Sequence, residues 1–262
     1  MVEKGKDSAL FVGSLEKGMK VFHAFSREHR ELRLSEIVEI TGLDRSAAQR
    51  FAYSLHTLGY LVQDPRTKLF RLSPKTLELA LSYLQSDPLI EAALPVLQQC
   101  RRETGETVNL SELNDTDVVF VARVPGDHAV NVSVSIGSSF PAFCTAPGRA
   151  MLAFLAADSA EAILKRSTRR SFTEHTKTDL QQIRQEIKAA RAQGFCVAVQ
   201  EIYLGEISIA APVFDMARQP VGALNIPLPT ARWTVENVQT QLGSIVVKFA
   251  DRITALNGGI KP

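Results

Sequence analysis

Long apolar runs are missing from this chain. No stretch reaches the roughly 18 uninterrupted apolar residues that a membrane span requires, so no membrane anchor is expected. Cysteine is scarce: Cys100, Cys144 and Cys196 are the three among 262 residues. They lie far apart, without a CxxC pair or a Cys/His cluster, which argues against a structural zinc site. The odd cysteine count, with an opening stretch MVEKGKDSALFVGS that has no long apolar core, fits a reducing cytoplasm. An excess of one charge is also missing. The net charge is only +2, so the chain as a whole does not bind nucleic acid by bulk charge, and charge must be read by region. Repeats and low-complexity tracts are absent. So are the G-x-S-x-G, GxxxxGK and HExxH patterns of hydrolases, nucleotide-binding loops and zinc proteases. No cofactor is expected.

What is present is an ordinary globular composition, 45% hydrophobic and 22% charged, in a chain long enough for two domains. Three helices are expected first. SLEKGMKVFHAFSRE carries an apolar stripe of Leu15, Met19, Val21, Phe22 and Phe25, with Ser14 placed to cap it. LRLSEIVEITG reads as a short second helix, with Leu34, Ile37 and Val38 inward and Gly42 as its stop. The third lies in TGLDRSAAQRFAYSLHTLGYL, behind Asp44, whose carboxylate can accept from first-turn N–H groups. Ala47, Phe51, Leu55 and Leu58 fall on one side of it, and Arg45, Ser46, Gln49 and Tyr53 on the other, with Arg50 on the flank. Arginine, glutamine and hydroxyl side chains at the N-terminal end of an exposed helix can read base edges in a major groove. A merely solvated polar face is the plain alternative.

GYLVQDPRTKLFRLSP then reads as a hairpin, with β-type runs at 60–63 and 69–72 around a DPRTK turn. Three helices followed by a hairpin make a winged helix-turn-helix. Its third helix enters the groove and its hairpin lies along the backbone. Within residues 45–75 stand the six cations Arg45, Arg50, Arg66, Lys68, Arg71 and Lys75 against one acid, Asp64, a local charge of +5. Counterion release favours DNA binding by such a patch.

Residues 74–85 and 89–102 read as leucine-lined helices separated by Ser86-Asp87-Pro88. They can pair between subunits or pack on their own domains. The expected organisation is a winged helix-turn-helix at 1–73, a linker helix at 74–87 and a second domain at 88–262. Strands dominate that domain, at 107–113, 117–123, 130–136, 195–200, 207–214 and 221–227. Helices are expected near 159–167 and 178–193, and one long amphipathic helix over 234–256. This is the pattern of an α+β domain on an antiparallel sheet. Thr145-Ala146-Pro147-Gly148 marks a helix start whose N–H groups suit a carboxylate. Phe140, Phe143 and Met151 beside it suit an apolar or aromatic body. A capped helix without a ligand is again the alternative.

With both halves in view, the chain resembles the IclR family of bacterial transcription regulators over nearly its whole length. The likeness is carried by GLDRSAAQRFAYSLHTLGYL, by GRAMLAFL, and by GFCVAVQEIYLGEISIAAPVFD with PVGALNIPLP. VNVSVSIGSSFPAFCTAPGRAMLA and QEIYLGEISIAAPV look most like the branch that controls protocatechuate or 4-hydroxybenzoate breakdown. The resemblance implies a winged helix-turn-helix, a linker helix and a GAF-like effector domain. It implies an effector beside Thr145, Ala146 and Gly148, near strand positions Ala198, Ser208, Asn225 and Pro227. Ala198 and Pro227 offer no side-chain hydrogen bond where glyoxylate-type members have polar groups, which points to a larger, flatter ligand. Met151, Gln200 and Arg123 are further candidates.

The expected protein is a cytoplasmic, ligand-responsive regulator of a catabolic operon. Its partners would be double-stranded operator DNA, a small aromatic or short-chain carboxylate, and further copies of itself as a homodimer or dimer of dimers. Arg45, Ser46, Gln49 and Arg50 would meet the DNA, with Arg66 and Lys68 on the wing. Two other readings stand beside it. The helical domain could bind a protein partner instead, or Cys144, beside a helix start, could be an enzyme nucleophile. The second needs a base, and neither His128 nor His175 lies in a recognisable dyad motif.

Overall fold

The computed structural model describes residue 6, residues 8–127 and residues 134–262. It divides into two compact units, the first ending at Tyr83 and the second beginning at Leu84.

In the first unit α1 (Gly13–His23), α2 (Leu34–Thr41) and α3 (Arg45–Thr57) enclose Val21, Ile37, Ala48, Ala52 and Leu61. Three short strands, β1 (Glu31–Leu32), β2 (Leu61–Gln63) and β3 (Phe70–Leu72), pair antiparallel in the order β1-β3-β2. Strand β1 corrects the sequence reading, which ran the second helix back through Leu32. Pairing with Phe70 on β3 fixes Leu32 in extended backbone, and pairing is invisible to local periodicity. Helix α1 starts behind Val12 with no side-chain cap, so Ser14 is not the cap expected of it. Leu15 and Met19 stand 66% and 45% exposed, outside the core stripe assigned to them. The buried line of α3 runs through Ala48 and Ala52, one residue beyond the expected Ala47 line. Small residues let neighbouring helices approach closely, so alanines occupy the centre while Phe51 and Leu55 flank it. Leu58 at the helix end is 59% exposed.

Helix α4 (Thr76–Ser86) leads to α5 (Pro88–Thr104), with Asp87 between them accepting from Leu89 N at 2.8 Å as the cap of α5. The compact units thus part within α4, before the Ser86-Asp87-Pro88 break.

The second unit is built on a six-stranded antiparallel sheet. Its strands are β4 (Val108–Asn114), β5 (Asp117–Val124), β6 (Ser139–Pro141), β7 (Cys196–Val199), β8 (Glu206–Phe214) and β9 (Pro220–Pro229), in the order β6-β5-β4-β9-β8-β7. Alternate residues face opposite sides. Val108, Leu110, Ile207, Ile209, Leu224 and Ile226 join α5 and the C-terminal helix in one core. The opposite face carries α6 (Ala146–Leu152), α7 (Ala157–Arg166) and α8 (Leu180–Gln193), with Val118, Phe120, Ala210 and Ala223 beneath them. The expected α+β architecture is therefore the observed one.

Two details depart from expectation. The strand expected over 130–136 lies mainly outside the described residues, and Val134 to Ile136 are not in a strand; the last strand of that edge is β6. The C-terminal helix is not continuous. A turn, α9 (Val235–Asn237), passes through a π-helical segment, Val238–Leu242, into α10 (Gly243–Leu256). That segment lets Val238 and Leu242 share the buried face with Val246, Phe249 and Ile253, while Gly243 lies against the Phe195 ring.

Candidate ligand cavity and nucleic-acid interface

In the first unit Gly42, at φ 67°, ends α2 in a left-handed turn, and Asp44 then caps α3 by accepting from Ala47 N at 2.8 Å. This orients α3 with Arg45, Ser46, Gln49, Arg50 and Tyr53 exposed. The β2–β3 turn is held by Asp64, whose Oδ1 accepts from Arg66 N and Thr67 N, both at 2.8 Å. Those bonds hold the Asp64 carboxyl below the usual range. Gln63 Nε2 donates to Lys68 O at 3.1 Å, and Lys68 takes a left-handed φ of 60°. One open groove results. It is lined by Arg45, Ser46, Gln49, Arg50 and Lys68 from the expected set, and by Arg33, Tyr53, His56 and Gln63. Arg66 is exposed at the wing tip and does not line the groove. Lys75, counted in the local charge, donates to Leu58 O at 3.0 Å and lies over the Tyr60 ring, so it caps the C-terminus of α3.

In the second unit the face of the sheet toward α6 carries a polar row. Asn109 on β4 sits opposite Asn225 on β9, and Ser208 on β8 sits opposite both Pro227 and Ala198. These residues, with Thr145, Ala146, Gln200 and Glu206, line one cavity. Phe120, Phe140 and Tyr203 line it as well, stacked edge to face with centroids 6.0 and 5.9 Å apart. Two of the eight expected ligand residues are not part of the lining. Gly148 packs its α-carbon on the turn before α6, where an added Cβ would lie 2.3 Å from Ala142 O. Met151, a turn further on, is enclosed in the core under α7 and α8. Arg123 is outside the lining too, and donates to Asn109 Oδ1 at 3.2 Å.

The start of α6 offers fewer donors than the sequence suggested. The helix is two turns long. Pro147 has no N–H, Gly148 N donates to Thr145 Oγ1 at 3.2 Å, and Arg149 N to Thr145 O at 3.0 Å. Among the described residues this leaves the N–H of Ala146 unclaimed in the first turn.

One cavity wall is the β7–β8 connection, which sequence reasoning did not anticipate as a unit. Arg149 is fully buried, and its guanidinium meets the Glu201 carboxylate at 2.5 and 2.7 Å and Phe143 O at 2.7 Å. Thr173 Oγ1 donates to Gln200 O and Thr176 Oγ1 to Glu201 O, each at 2.6 Å. Gln200, at φ 55°, accepts from Gly205 N at 2.8 Å. The connection is thereby fixed at both ends, with Ile202 and Tyr203 against the cavity.

Glu206 and Asn109 are site residues that the sequence reading missed. Burial pushes the Glu206 carboxyl up to about 7, opposed by the charge of Arg123. Cys144 also reaches the cavity, but its side chain is buried, and that pushes its thiol up to about 12. A thiol so held is protonated at neutral pH and is a poor nucleophile. Among the described residues no His, Cys, Asp and Glu group is arranged to hold a metal, and no helix is long and apolar enough to cross a membrane.

Comparison with known proteins agrees with both halves. Residues 81–255 match the bacterial transcriptional regulator IclR C-terminal family, and residues 14–65 match the IclR helix-turn-helix domain. The Pca regulon regulatory protein of Pseudomonas putida is 33% identical over 238 residues, covering 90% of this chain and 81% of that one. A solved transcriptional-regulator chain from Rhodococcus sp. RHA1 is 35% identical, with a TM-score of 0.79 over 94% of this chain and 98% of that one. An IclR homologue from Microbacterium hydrocarbonoxydans, solved with 4-hydroxybenzoate, shares the fold at 22% identity and a TM-score of 0.75, over 93% of this chain and 98% of that one. A helix-turn-helix with an open basic groove, joined to a sheet domain with a lined cavity, thus has its place: the chain belongs to the IclR family of bacterial transcriptional regulators.

Proposed function

We propose that this regulator senses a small aromatic carboxylic acid in the cavity of its second unit and controls a catabolic operon through its first. The observation that carries the effector class is the lining. Phe120, Phe140 and Tyr203 form an aromatic wall suited to a flat ring, while polar groups come from the sheet face, the α6 start and the β7–β8 connection. The 4-hydroxybenzoate in the Microbacterium homologue and the Pca name of the Pseudomonas relative point the same way. The ring's carboxylate meets the α6 start near Thr145 and Ala146, and Ser208, Gln200 and Asn225 supply further polar contacts.

On the DNA side, Arg45, Ser46, Gln49 and Arg50 reach base edges and flanking phosphates, and Lys68 and Arg66 follow the backbone along the wing. A homodimer presents two such readers to a pseudo-palindromic operator. The effector shifts the balance between two arrangements of the readers by binding one of them better.

Two measurements test this. Calorimetric titration with a panel of aromatic and short-chain carboxylates should show binding by the aromatic set, weakened in Ser208→Ala and Asn225→Ala; preference for the short-chain set would overturn the effector class. Arg50→Ala should weaken operator binding, lower its salt slope by about 1 and leave effector affinity intact. An unchanged operator affinity at fixed salt would remove Arg50 from the interface.

A further inference from the structure

Three buried polar atoms around the cavity have no hydrogen-bond partner among the described residues: Glu206 Oε2, Asn225 Oδ1 and Asn109 Nδ2. Their side chains all line the same space. Asn109 and Asn225 are direct partners across β4 and β9, and Glu206 begins the neighbouring strand β8. Both asparagine residues are 1–2% exposed.

The network behind them fixes what each presents. Arg123 donates to Asn109 Oδ1 at 3.2 Å, so the amide NH₂ of Asn109 is the free end. Asn225 Nδ2 donates to Ser208 Oγ at 3.2 Å, so its carbonyl oxygen is the free end. The site therefore offers an amide oxygen that accepts, an amide NH₂ that donates, and a carboxyl that accepts when ionised and can also donate when protonated. Buried polar atoms left unpaired are costly, and native structures pair nearly all of them. An occupant that satisfies all three must carry a donor for the carboxylate and the amide oxygen, and a lone pair for the amide NH₂. A hydroxyl on a flat ring donates to one of these oxygens and accepts from the amide NH₂, and a second hydroxyl beside it can serve the other oxygen. A bare carboxylate supplies acceptors only and leaves the Asn225 oxygen unpaired.

We propose that Glu206, with Asn225 and Asn109, reads a ring hydroxyl of the effector, so that the protein selects hydroxylated aromatic acids over their unhydroxylated parents. The inference rests on the aromatic-acid reading above and adds to it a specificity-determining group at the head of β8.

The test is calorimetry on the full-length protein with benzoate, 3-hydroxybenzoate, 4-hydroxybenzoate and 3,4-dihydroxybenzoate. Wild type should bind at least one hydroxylated member roughly 10- to 100-fold more tightly than benzoate, the range expected when buried unpaired polar groups gain their hydrogen bonds. Glu206→Leu should bring that ratio close to one by weakening the hydroxylated ligand while benzoate stays within a few-fold. Glu206→Gln keeps an acceptor of the same size and should lower the ratio several-fold without abolishing it. It also serves as the reporter if the leucine variant does not fold. Equal losses for benzoate and the hydroxylated acids would make Glu206 a residue that only shapes the cavity and overturn the proposal. An unchanged ratio in Glu206→Gln would overturn it as well. Wild type binding benzoate as tightly as every hydroxylated member removes the inference and leaves the aromatic-acid reading standing. Wild type binding none of the four removes both.

Discussion

Glu206 is a carboxyl placed where water is scarce, and its titration should show in stability. Its folded-state value, about 7, lies above the ordinary 4.5 because burial disfavours the charged form. The sign follows: its contribution to stability is complete below about pH 4.5 and is lost as pH rises toward 7. Glutamine does not titrate. Without ligand, Glu206→Gln should therefore gain on wild type between pH 5 and pH 8, by up to about 3 kcal/mol. Urea denaturation at the two pH values measures this, and parallel profiles would contradict it. The Arg149–Glu201 pair works in the opposite sense. Both partners are almost wholly buried, so Glu201→Ala leaves a guanidinium without its counter-charge. A loss of about 3–5 kcal/mol is expected, with much of it recovered when Arg149→Met is added. Thermal melts of the single and double variants compare the two. The difference in legibility between these residues is physical. Ser208 and Asn225 were readable through resemblance. Alternation also assigns Asn109 and Glu206 a strand face, but it cannot say which strands become neighbours, and the neighbours make these positions a site.

At the scale of elements, local chemistry was legible and long-range pairing was not. The α3 cap at Asp44, the left-handed stop at Gly42 and the Asp64 turn all depend on residues within four positions of one another. Strands β1 and β6 are two and three residues long and exist because a partner strand receives them. The π-helical segment before α10 preserves an apolar stripe that reads from sequence as one plain helix. At the junction of the 3-10 turn Ala142–Cys144 with α6, Gly148 leaves no room for a side chain. A methyl group on Gly148 has backbone on its path, with Ala142 O at 2.3 Å and Ala142 Cα at 2.4 Å. Gly148→Ala should push the turn away from the helix, costing about 3 kcal/mol and displacing Thr145 and Ala146 from the cavity. A variant with wild-type stability and effector affinity would show that the wall yields freely.

Over the whole molecule, the outstanding surface belongs to α4. Leu77, Leu79, Leu81 and Tyr83 are 67%, 59%, 52% and 44% exposed, and none of its residues is buried. A helix apolar on several sides with nothing buried would be covered by a second copy of the chain in the dimer proposed above. Replacing Leu79 and Leu81 with glutamate should lower the assembly state in sedimentation velocity and weaken operator binding, while effector affinity stays within about two-fold. Unchanged sedimentation would assign that face to another role. The sequence reading left open whether these leucines pair between subunits or pack at home, because leucine spacing is the same in either case.

The sheet of the second unit is a partition one residue thick. Asn109 and Asn225 face the cavity, while their chain neighbours Leu110 and Leu224 face the core beneath α5. On β9, three residues before Asn225, Gly222 lies under Leu89 in the first turn of α5, leaving 3.0 Å between that side chain and an added Cβ. The same two strands thus form the floor of the cavity on one side and the bed of the first turn of α5 on the other.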